Sequence, residues 1–189
     1  MPNWCTNKLT VSGPAEDIDK WVERATDGEM PLSLNRLCPQ PKEIIDSAEN
    51  GGDYPDGGPA WYHWRNKHWG TRWELDEHTE IEMESAEDNV CVIYEFETAW
   101  APPVAAIDHV AKDFPTLTFK LLYEEVGMMF VGRYITEHGK AVHKCARIIE
   151  RKCSECEDGF YPVLFIGSPF CNGCGTGYNA EATEKEYFG

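Results

Sequence analysis

Four of the eight cysteines form two C-x-x-C pairs near the C-terminus, and this spacing constrains the chain more than any other feature. Cys153 is paired with Cys156 and Cys171 with Cys174, and fourteen residues separate the pairs. Two thiolates three positions apart on a tight turn reach one tetrahedral ion, and two such pairs complete its shell. The pattern therefore predicts a zinc ribbon over residues 151–180. Zn²⁺ would be structural there, because four thiolates leave no open coordination position.

The same four thiols allow a second interpretation, namely two redox-active or structural cysteine pairs without a metal. The segment is too short to bury a core of its own, which favours a metal as the source of its stability. The remaining cysteines are isolated in the sequence, and we expect them to be small buried hydrophobes. They are Cys5, Cys38, Cys91 and Cys145.

The chain is strongly acidic, since 33 Asp and Glu residues against 17 Lys and Arg residues leave a net charge of −16 over 189 residues. A negative field of this size repels nucleic acids and anionic membranes and attracts basic surfaces. No apolar run approaches the roughly 18 residues that a membrane-spanning helix needs. Residues 1–7 have neither the basic nor the apolar region of a signal peptide, so we expect a cytoplasmic protein.

Hydrophobic periodicity divides the chain into strands and helices. It predicts helices at 15–25, 60–70 and 104–111, a loop at 49–59, and strands at 8–12, 33–37, 73–85, 90–98, 116–124, 128–136, 141–150 and 161–166. The order is β-α-β, then a tryptophan-rich insertion that contains Trp61, Trp64 and Trp69, and then β-β-α-β-β. This order is typical of an α+β, ferredoxin-like sandwich. We therefore expect a ferredoxin-like domain at 1–150, the zinc ribbon at 151–180 and a C-terminal tail at 181–189.

The strand predicted at 73–85 alternates between acidic and apolar side chains. Leu75, Ile81 and Met83 would lie on one of its faces. The opposite face would carry Glu74, Asp76, His78, Glu80, Glu82 and Glu84. Alternate side chains on a strand repeat about every 6.6–6.8 Å, so the acidic face would present charges at spacings comparable with those of nucleic-acid phosphates. Its carboxylates are candidate partner-binding residues that imitate a nucleic-acid backbone.

An exposed strand face is usually charged for solubility alone, so the second interpretation of this face is an ordinary solvated surface. Between Trp73 and Glu97 there are ten acidic residues and no basic ones. Like charges side by side cost stability, and Lys120 and Arg133 on neighbouring predicted strands are placed to offset them. The sequence leaves both interpretations of the face open.

The tryptophan-rich insertion carries the only local group of basic residues in that part of the chain. Tryptophan stacks on bases and is enriched at interfaces, which indicates a nucleic-acid or protein contact. Large aromatics also dominate core burial, so packing of the domain interior is the alternative. The candidate partner-binding residues of the insertion are Trp61, Trp64, Arg65, Trp69 and Arg72.

Several short sequence motifs stand out along the chain. They are PNWCTNKL at 2–9, WGTRW at 69–73 and TAWAPP at 98–103, followed by Phe114-Pro and Tyr123-Glu-Glu. Together they resemble the YubB-type ferredoxin-like family, which is found on phages, plasmids and other mobile elements of bacteria. The resemblance covers about residues 1–140. It implies a ferredoxin-like fold and a mobile-element origin, hence a bacterial host cell, but no assigned activity.

The sequence contains no recognisable catalytic triad, phosphate-binding glycine loop or H-E-x-x-H motif, so we expect a non-enzymatic protein. The leading hypothesis is an acidic phage or mobile-element protein that binds a host protein and inhibits a defence or nucleic-acid-processing system. The alternative is a nucleic-acid-binding accessory factor that uses the ribbon and the Trp/Arg segment, although the net charge opposes it. A third hypothesis is a metalloenzyme with a catalytic zinc.

Overall fold

The computed structural model describes residues 2–49, 59–76, 78–86, 89–137, 140–156, 158–166, 169–178 and 184–188. Its strands are β1 (Trp4–Pro14), β2 (Glu80–Ala86), β3 (Asn89–Ala99), β4 (Thr118–Glu125), β5 (Phe130–Glu137), β6 (Lys140–Arg147), β7 (Glu150–Lys152) and β8 (Phe160–Pro162). Its helices are α1 (Ala15–Ala25), α2 (Leu34–Leu37), α3 (Lys42–Glu49), α4 (Ala60–His68), α5 (Val104–Ala111) and α6 (Glu184–Phe188). Among the helices of these ranges, none has the length and apolar character needed to cross a membrane.

The main sheet has six strands in the order β2-β3-β1-β4-β5-β6, and every neighbouring pair is antiparallel. Strands β1 to β4 with helices α1 and α5 form the β-α-β-β-α-β unit of a ferredoxin-like sandwich. The hairpin of β5 and β6 extends this unit at one edge, and β7 pairs with β8 in a separate two-stranded sheet. The α+β, ferredoxin-like prediction is therefore confirmed.

One face of the main sheet packs against helices α1 and α5. Strand β1 alternates strictly between buried and half-buried residues, so its odd-numbered side chains enter the core. Trp21 of α1 is fully buried at the centre of this layer, and its ring meets Tyr94 and Phe119 edge to face at 6.3 and 5.0 Å between centroids. This edge-to-face geometry is the preferred one for aromatic pairs, so Trp21 joins the helix layer to β3 and β4.

Helices α1 and α5 confirm the predictions made from helical periodicity. Helix α1 buries Ile18, Trp21 and Ala25 on one stripe, and acidic residues occupy its first turn, where they favour the helix dipole. Helix α5 begins directly after Pro103, which cannot continue a preceding strand but suits a helix start. The helix predicted at 60–70 is also present, as α4, and ends at His68.

The strand predicted at 33–37 is wrong, because these residues form the short helix α2. Ser33 caps it by accepting a hydrogen bond from the backbone N–H of Arg36 at 3.2 Å. The carboxylate of Glu74 accepts hydrogen bonds from the backbone N–H groups of Leu34 and Asn35 at 2.6 and 2.8 Å. Two side chains therefore satisfy the N–H groups that the first turn of a helix leaves without intrahelical partners.

The long acidic strand predicted at 73–85 is also corrected, since β2 begins only at Glu80. The carboxylate of Glu74 binds the backbone of α2, and Glu74 does not share a strand face with the later glutamates. Ile81 and Met83 were expected on an apolar face, but they are 41% and 58% exposed on this edge strand. Helices α1 and α5 pack on the inner strands, so the sheet edge extends beyond the apolar layer.

The C-terminal predictions are correct in part. The strand predicted at 161–166 is limited to β8, and the residues after it turn toward the main sheet. The strand predicted at 141–150 ends at Arg147 in β6. The described part of the segment expected to be a tail is helix α6, whose Tyr187 hydroxyl donates to the Val163 carbonyl at 2.6 Å. Most of the loop predicted at 49–59 lies outside the described residues.

Substitution of Gly70 by alanine is expected to lower the free energy of unfolding by about 1–3 kcal/mol. Gly70 has φ of 90°, and an added Cβ would lie 2.8 Å from the carbonyl oxygen of Pro102. Gly28 is the matched control, because it has φ of 61° but no atom within 4 Å of an added Cβ. Urea unfolding of both variants would show a larger loss for Gly70→Ala; equal losses would contradict the contact argument.

Replacement of Glu74 by alanine is expected to cost about 1–2 kcal/mol of stability, because two backbone N–H groups of α2 lose their acceptor. Glu82→Ala is the control, since Glu82 is exposed on β2 and its loss should change stability by less than about 0.5 kcal/mol. Thermal and urea unfolding would compare the two variants. A Glu74 variant as stable as the Glu82 variant would show that the carboxylate does not hold α2.

Candidate functional sites: a four-cysteine centre and an acidic sheet face

The four cysteines of the C-x-x-C pairs converge at the end of the β7–β8 hairpin. Their Sγ atoms all lie within 4.8 Å of one another, with 3.7 Å between Cys153 and Cys174 and 3.6 Å between Cys156 and Cys171. A tetrahedral ion with metal–sulfur bonds of about 2.3 Å would separate its sulfurs by about 3.8 Å, so the cluster fits such an ion. All four are free thiols in this structure and form no disulfide. The cluster can therefore bind a metal ion.

Backbone turns hold the thiols in place. The N–H of Glu155 points at the sulfur of Cys153, and the N–H of Gly173 points at the sulfur of Cys171, both at 3.3 Å. Such N–H donors favour the thiolate form, which is the form that ligates metals. A Cβ on Gly159 would lie 2.8 Å from the sulfur of Cys156, so only glycine lets the hairpin approach the cluster.

A tyrosine hydroxyl lies beside the cluster. The hydroxyl of Tyr178 is 2.8 Å from the sulfur of Cys153, and the Tyr178 ring stacks on Tyr161 of β8 at 3.9 Å between centroids. Desolvation raises the pKa of the Cys153 thiol, but hydrogen bonds from Tyr178 and from the backbone N–H groups of Cys156 and Glu155 outweigh it and lower the pKa to about 6. Cys153 therefore has thiolate character at neutral pH.

The segment that follows the hairpin packs on the sheet face opposite α1 and α5. Buried Glu124 of β4 accepts hydrogen bonds from the backbone N–H groups of Phe165 and Ile166 at 2.6 and 3.2 Å. Phe165 packs with Val131 of β5 and Ile148 in a second hydrophobic cluster. The four-cysteine centre is thus tied to the ferredoxin-like sheet by a carboxylate and by apolar contact.

Helix α6 pairs with basic side chains on the half of this sheet face that the C-terminal segment covers. Glu184 forms ion pairs with Lys120 and Arg133, and Lys144 donates to the carbonyl of Phe188 at 3.1 Å. Desolvation raises the pKa of Glu184, but the bonds from Lys120 and Arg133 outweigh it and hold the pKa below its ordinary value. The expectation that Lys120 and Arg133 offset the acidic strand is therefore wrong, because both bind α6 instead.

The uncovered half of the same face is acidic. Glu80 lies opposite Glu95 in the β2–β3 register, and Lys8 of β1 forms an ion pair with Glu95 at 2.6 Å. The glutamates of β2 are exposed and share one face, as predicted for them. We call this surface the acidic face and define it by Glu80, Glu82, Glu84, Glu95 and Glu97.

A pocket of about 340 Å³ lies at the end of the acidic face. Trp4 forms one wall and is 46% exposed, while Asp76 and His78 precede β2 and line the pocket with Glu80 and Glu97. Asp76 therefore stays close to the acidic face although it is not part of the strand. Sequence reasoning did not select Trp4, Glu95 or Glu97, and the run of acidic residues that ends at Glu97 was the signal for the last two.

The arginines of the tryptophan-rich insertion are stacked within the protein. The Arg65 guanidinium lies over Trp61 and Trp69, at 5.2 and 4.6 Å from the ring centroids. Arg72 lies over Trp100 at 4.4 Å and over Tyr62 at 4.6 Å. Trp69 is fully buried and donates its indole N–H to the Cys38 carbonyl at 2.8 Å, while Trp64 is half-buried against the core and stacks on His68.

The short sequence motifs meet at one end of the sheet. The Trp4, Trp73 and Trp100 rings form an edge-to-face chain, with centroid distances of 6.0 and 5.2 Å. Trp100 adopts φ of 65°, a left-handed conformation that costs a bulky residue energy, and its N–H donates to the Asn3 carbonyl at 2.9 Å. Residues distant in sequence thus form one aromatic cluster beside the pocket at the end of the acidic face.

Two comparisons find similarity to known proteins. Residues 69–160 match the family model described as "Ferredoxin-like domain in Api92-like protein". The crystal structure of protein api92 from Yersinia pseudotuberculosis is similar, with 8% sequence identity and a TM-score of 0.48, over 78% of this chain and 98% of that one. No curated protein matches this sequence. The family-model match shows that residues 69–160 of this chain are similar to the ferredoxin-like domain of Api92-like proteins.

Proposed function

We propose that this chain is a non-enzymatic binding protein whose acidic face docks on a basic protein surface. The observation that carries this proposal is the division of one sheet face by charge. The C-terminal segment binds the basic residues Lys120, Arg133 and Lys144 and covers their half of the face. The other half keeps the glutamates of β2 and Glu97 exposed, with Lys8 as a basic neighbour.

The arrangement of charges favours a partner that binds nucleic acids. Strand spacing separates Glu80, Glu82 and Glu84 by about 6.6–6.8 Å, which is comparable with the spacing of phosphates along a strand. A groove that accepts a phosphate backbone carries basic residues at matching intervals and would accept these carboxylates. Together with the YubB-type resemblance, this supports a mobile-element protein that blocks a host defence or nucleic-acid-processing protein.

The four-cysteine centre would hold a structural Zn²⁺ in this protein. Four thiolates close a tetrahedral shell and leave no position for substrate or water, which favours a structural ion over a catalytic one. A zinc ribbon formed in this way would fix the β7–β8 hairpin and so position Phe165 on the sheet. The metal thereby supports the covered half of the face and leaves the acidic half free.

Charge reversal of the acidic face tests the docking proposal. The triple variant E80K/E82K/E84K is compared with D19K/E23K/E29K, which changes the net charge equally at exposed positions in and just beyond α1. Tagged proteins are used to capture partners from nuclease-treated bacterial lysate, with washes of rising salt. We expect the wild type and the α1 variant to retain a salt-sensitive protein partner, and the face variant to bind it at least about tenfold more weakly.

Two results would contradict this proposal. Equal capture by the two triple variants would show that net charge, rather than the acidic face, governs binding. Salt-sensitive binding of the wild type to DNA or RNA in a gel shift would favour the nucleic-acid-binding alternative instead. In that case the loss of binding should follow Arg72→Ala rather than the face variant.

Metal analysis tests the zinc proposal. We expect about one zinc per purified chain, and Co²⁺ exchange should give the absorption bands of a tetrahedral thiolate site. Cys156→Ser should lose the metal and the dispersed NMR signals of residues 150–178, while β1 to β6 stay folded around their own core. Cys145→Ser is the control, because this cysteine is exposed on β6 away from the cluster. Full zinc content in Cys156→Ser would contradict the assignment.

A further inference from the structure

A second cavity lies between α2, α3 and α4, and none of its lining residues belongs to the acidic face. It has a volume of about 520 Å³, within the range of small-molecule sites. Met30, Ile45 and the Trp61 ring supply apolar walls, and the polar lining residues are Asp27, Ser33, Asn35, Gln40, Arg65 and Glu74. A cavity that combines apolar walls with convergent polar groups is typical of sites for small organic ligands.

Gln40 is the polar group that points to a ligand. Its side chain lines the cavity and the residue is only 8% exposed. The carbonyl Oε1 accepts a hydrogen bond from Nε of Arg65 at 3.2 Å, which fixes the orientation of the amide. Within the described part of the chain, the buried Nε2 of Gln40 has no hydrogen-bond partner. A buried amide without a partner is costly, so an acceptor atom in the cavity would stabilise it.

Arg65 adds a charged donor that is held rigidly. Its guanidinium lies over the rings of Trp61 and Trp69, which limits its motion. Burial lowers the pKa of Arg65 while Glu74 opposes this shift, and a guanidinium stays charged in proteins. Glu74 itself is engaged by the backbone N–H groups of α2. A partly dehydrated cation beside an unpaired amide N–H is a site for an acceptor oxygen.

We propose that this cavity binds a small planar molecule that presents a carboxylate or carboxamide oxygen to Gln40 Nε2 and Arg65 and packs its ring against Trp61. Both ligand chemistries share the acceptor oxygen on a flat ring, and the apolar contribution of Met30 and Ile45 suits an aromatic ring. This site is independent of the acidic face, because the two use different residues. Either proposal can therefore fail without the other.

Saturation-transfer NMR with defined probes tests the site. Benzoate and benzamide carry the acceptor oxygen on a planar ring, whereas benzylamine carries a cation on the same ring. We expect benzoate or benzamide to bind the wild-type protein in the millimolar range, and benzylamine to bind at least about tenfold more weakly. Benzoate above benzamide would assign carboxylates as the ligand class, and the reverse order would assign carboxamides.

Two variants connect the binding to the cavity. Gln40→Glu keeps an oxygen for Nε of Arg65 but replaces the Nε2 donor by an acceptor, so binding of either probe should weaken at least about tenfold. Trp61→Leu should weaken it similarly, whereas Trp73→Leu is the control, because Trp73 is exposed in the aromatic cluster and does not line the cavity. Circular dichroism of each variant would establish that it folds.

Three outcomes would overturn the proposal. The first is the absence of saturation transfer from both acceptor probes to the folded wild type, which would show that the cavity does not recognise an acceptor oxygen. The second is equally strong binding of benzylamine. The third is undiminished binding to the folded Gln40→Glu variant, which would show that the buried amide does not recognise the ligand.

Discussion

Strand β1 is the element on which the rest of the structure depends, because it pairs with β3 along its full length and with β4 along most of it. Its alternation directs Leu9 and Val11 into the helix-covered core and Thr6 and Lys8 to the other face. A register shift of one residue would exchange these two sets. The hydrophobic core, the ion pair of Lys8 with Glu95, and the row from Glu97 to Glu124 all follow from this pairing.

Contacts with the C-terminal segment determine which charged groups on the second face of the sheet stay exposed. Glu184 from α6 binds Lys120 and Arg133, and Glu124 from the sheet binds the backbone of the C-terminal segment. These contacts join the half of the face that carries basic residues to the segment behind the cysteines. Among the residues that the structure describes, none covers the glutamates of β2 in this way, so a surface of one charge remains beside Trp4.

The two candidate sites differ in how far sequence reasoning could find them. The four-cysteine centre is formed within one short stretch of the chain, so the spacing of Cys153, Cys156, Cys171 and Cys174 is enough to predict the cluster. The cavity beside Gln40 is formed by α2, α3 and α4 together, and no local pattern marks it. Trp61 and Arg65 stood out for their residue types, but their stacking and the burial of Gln40 come from packing between these elements.

The sequence by itself determined the elements whose hydrophobic periodicity is strong, namely α1, α5 and β3, together with their order, and hence the ferredoxin-like class. Tertiary structure alone decided the state of Leu34–Leu37, because Glu74, distant in sequence, satisfies the backbone of α2. It also decided that Lys120 and Arg133 form ion pairs with Glu184 of α6 and do not offset the acidic strand. Periodicity reports which side chains avoid water, whereas the choice of partner for a charge or a backbone N–H depends on what the completed fold brings within reach.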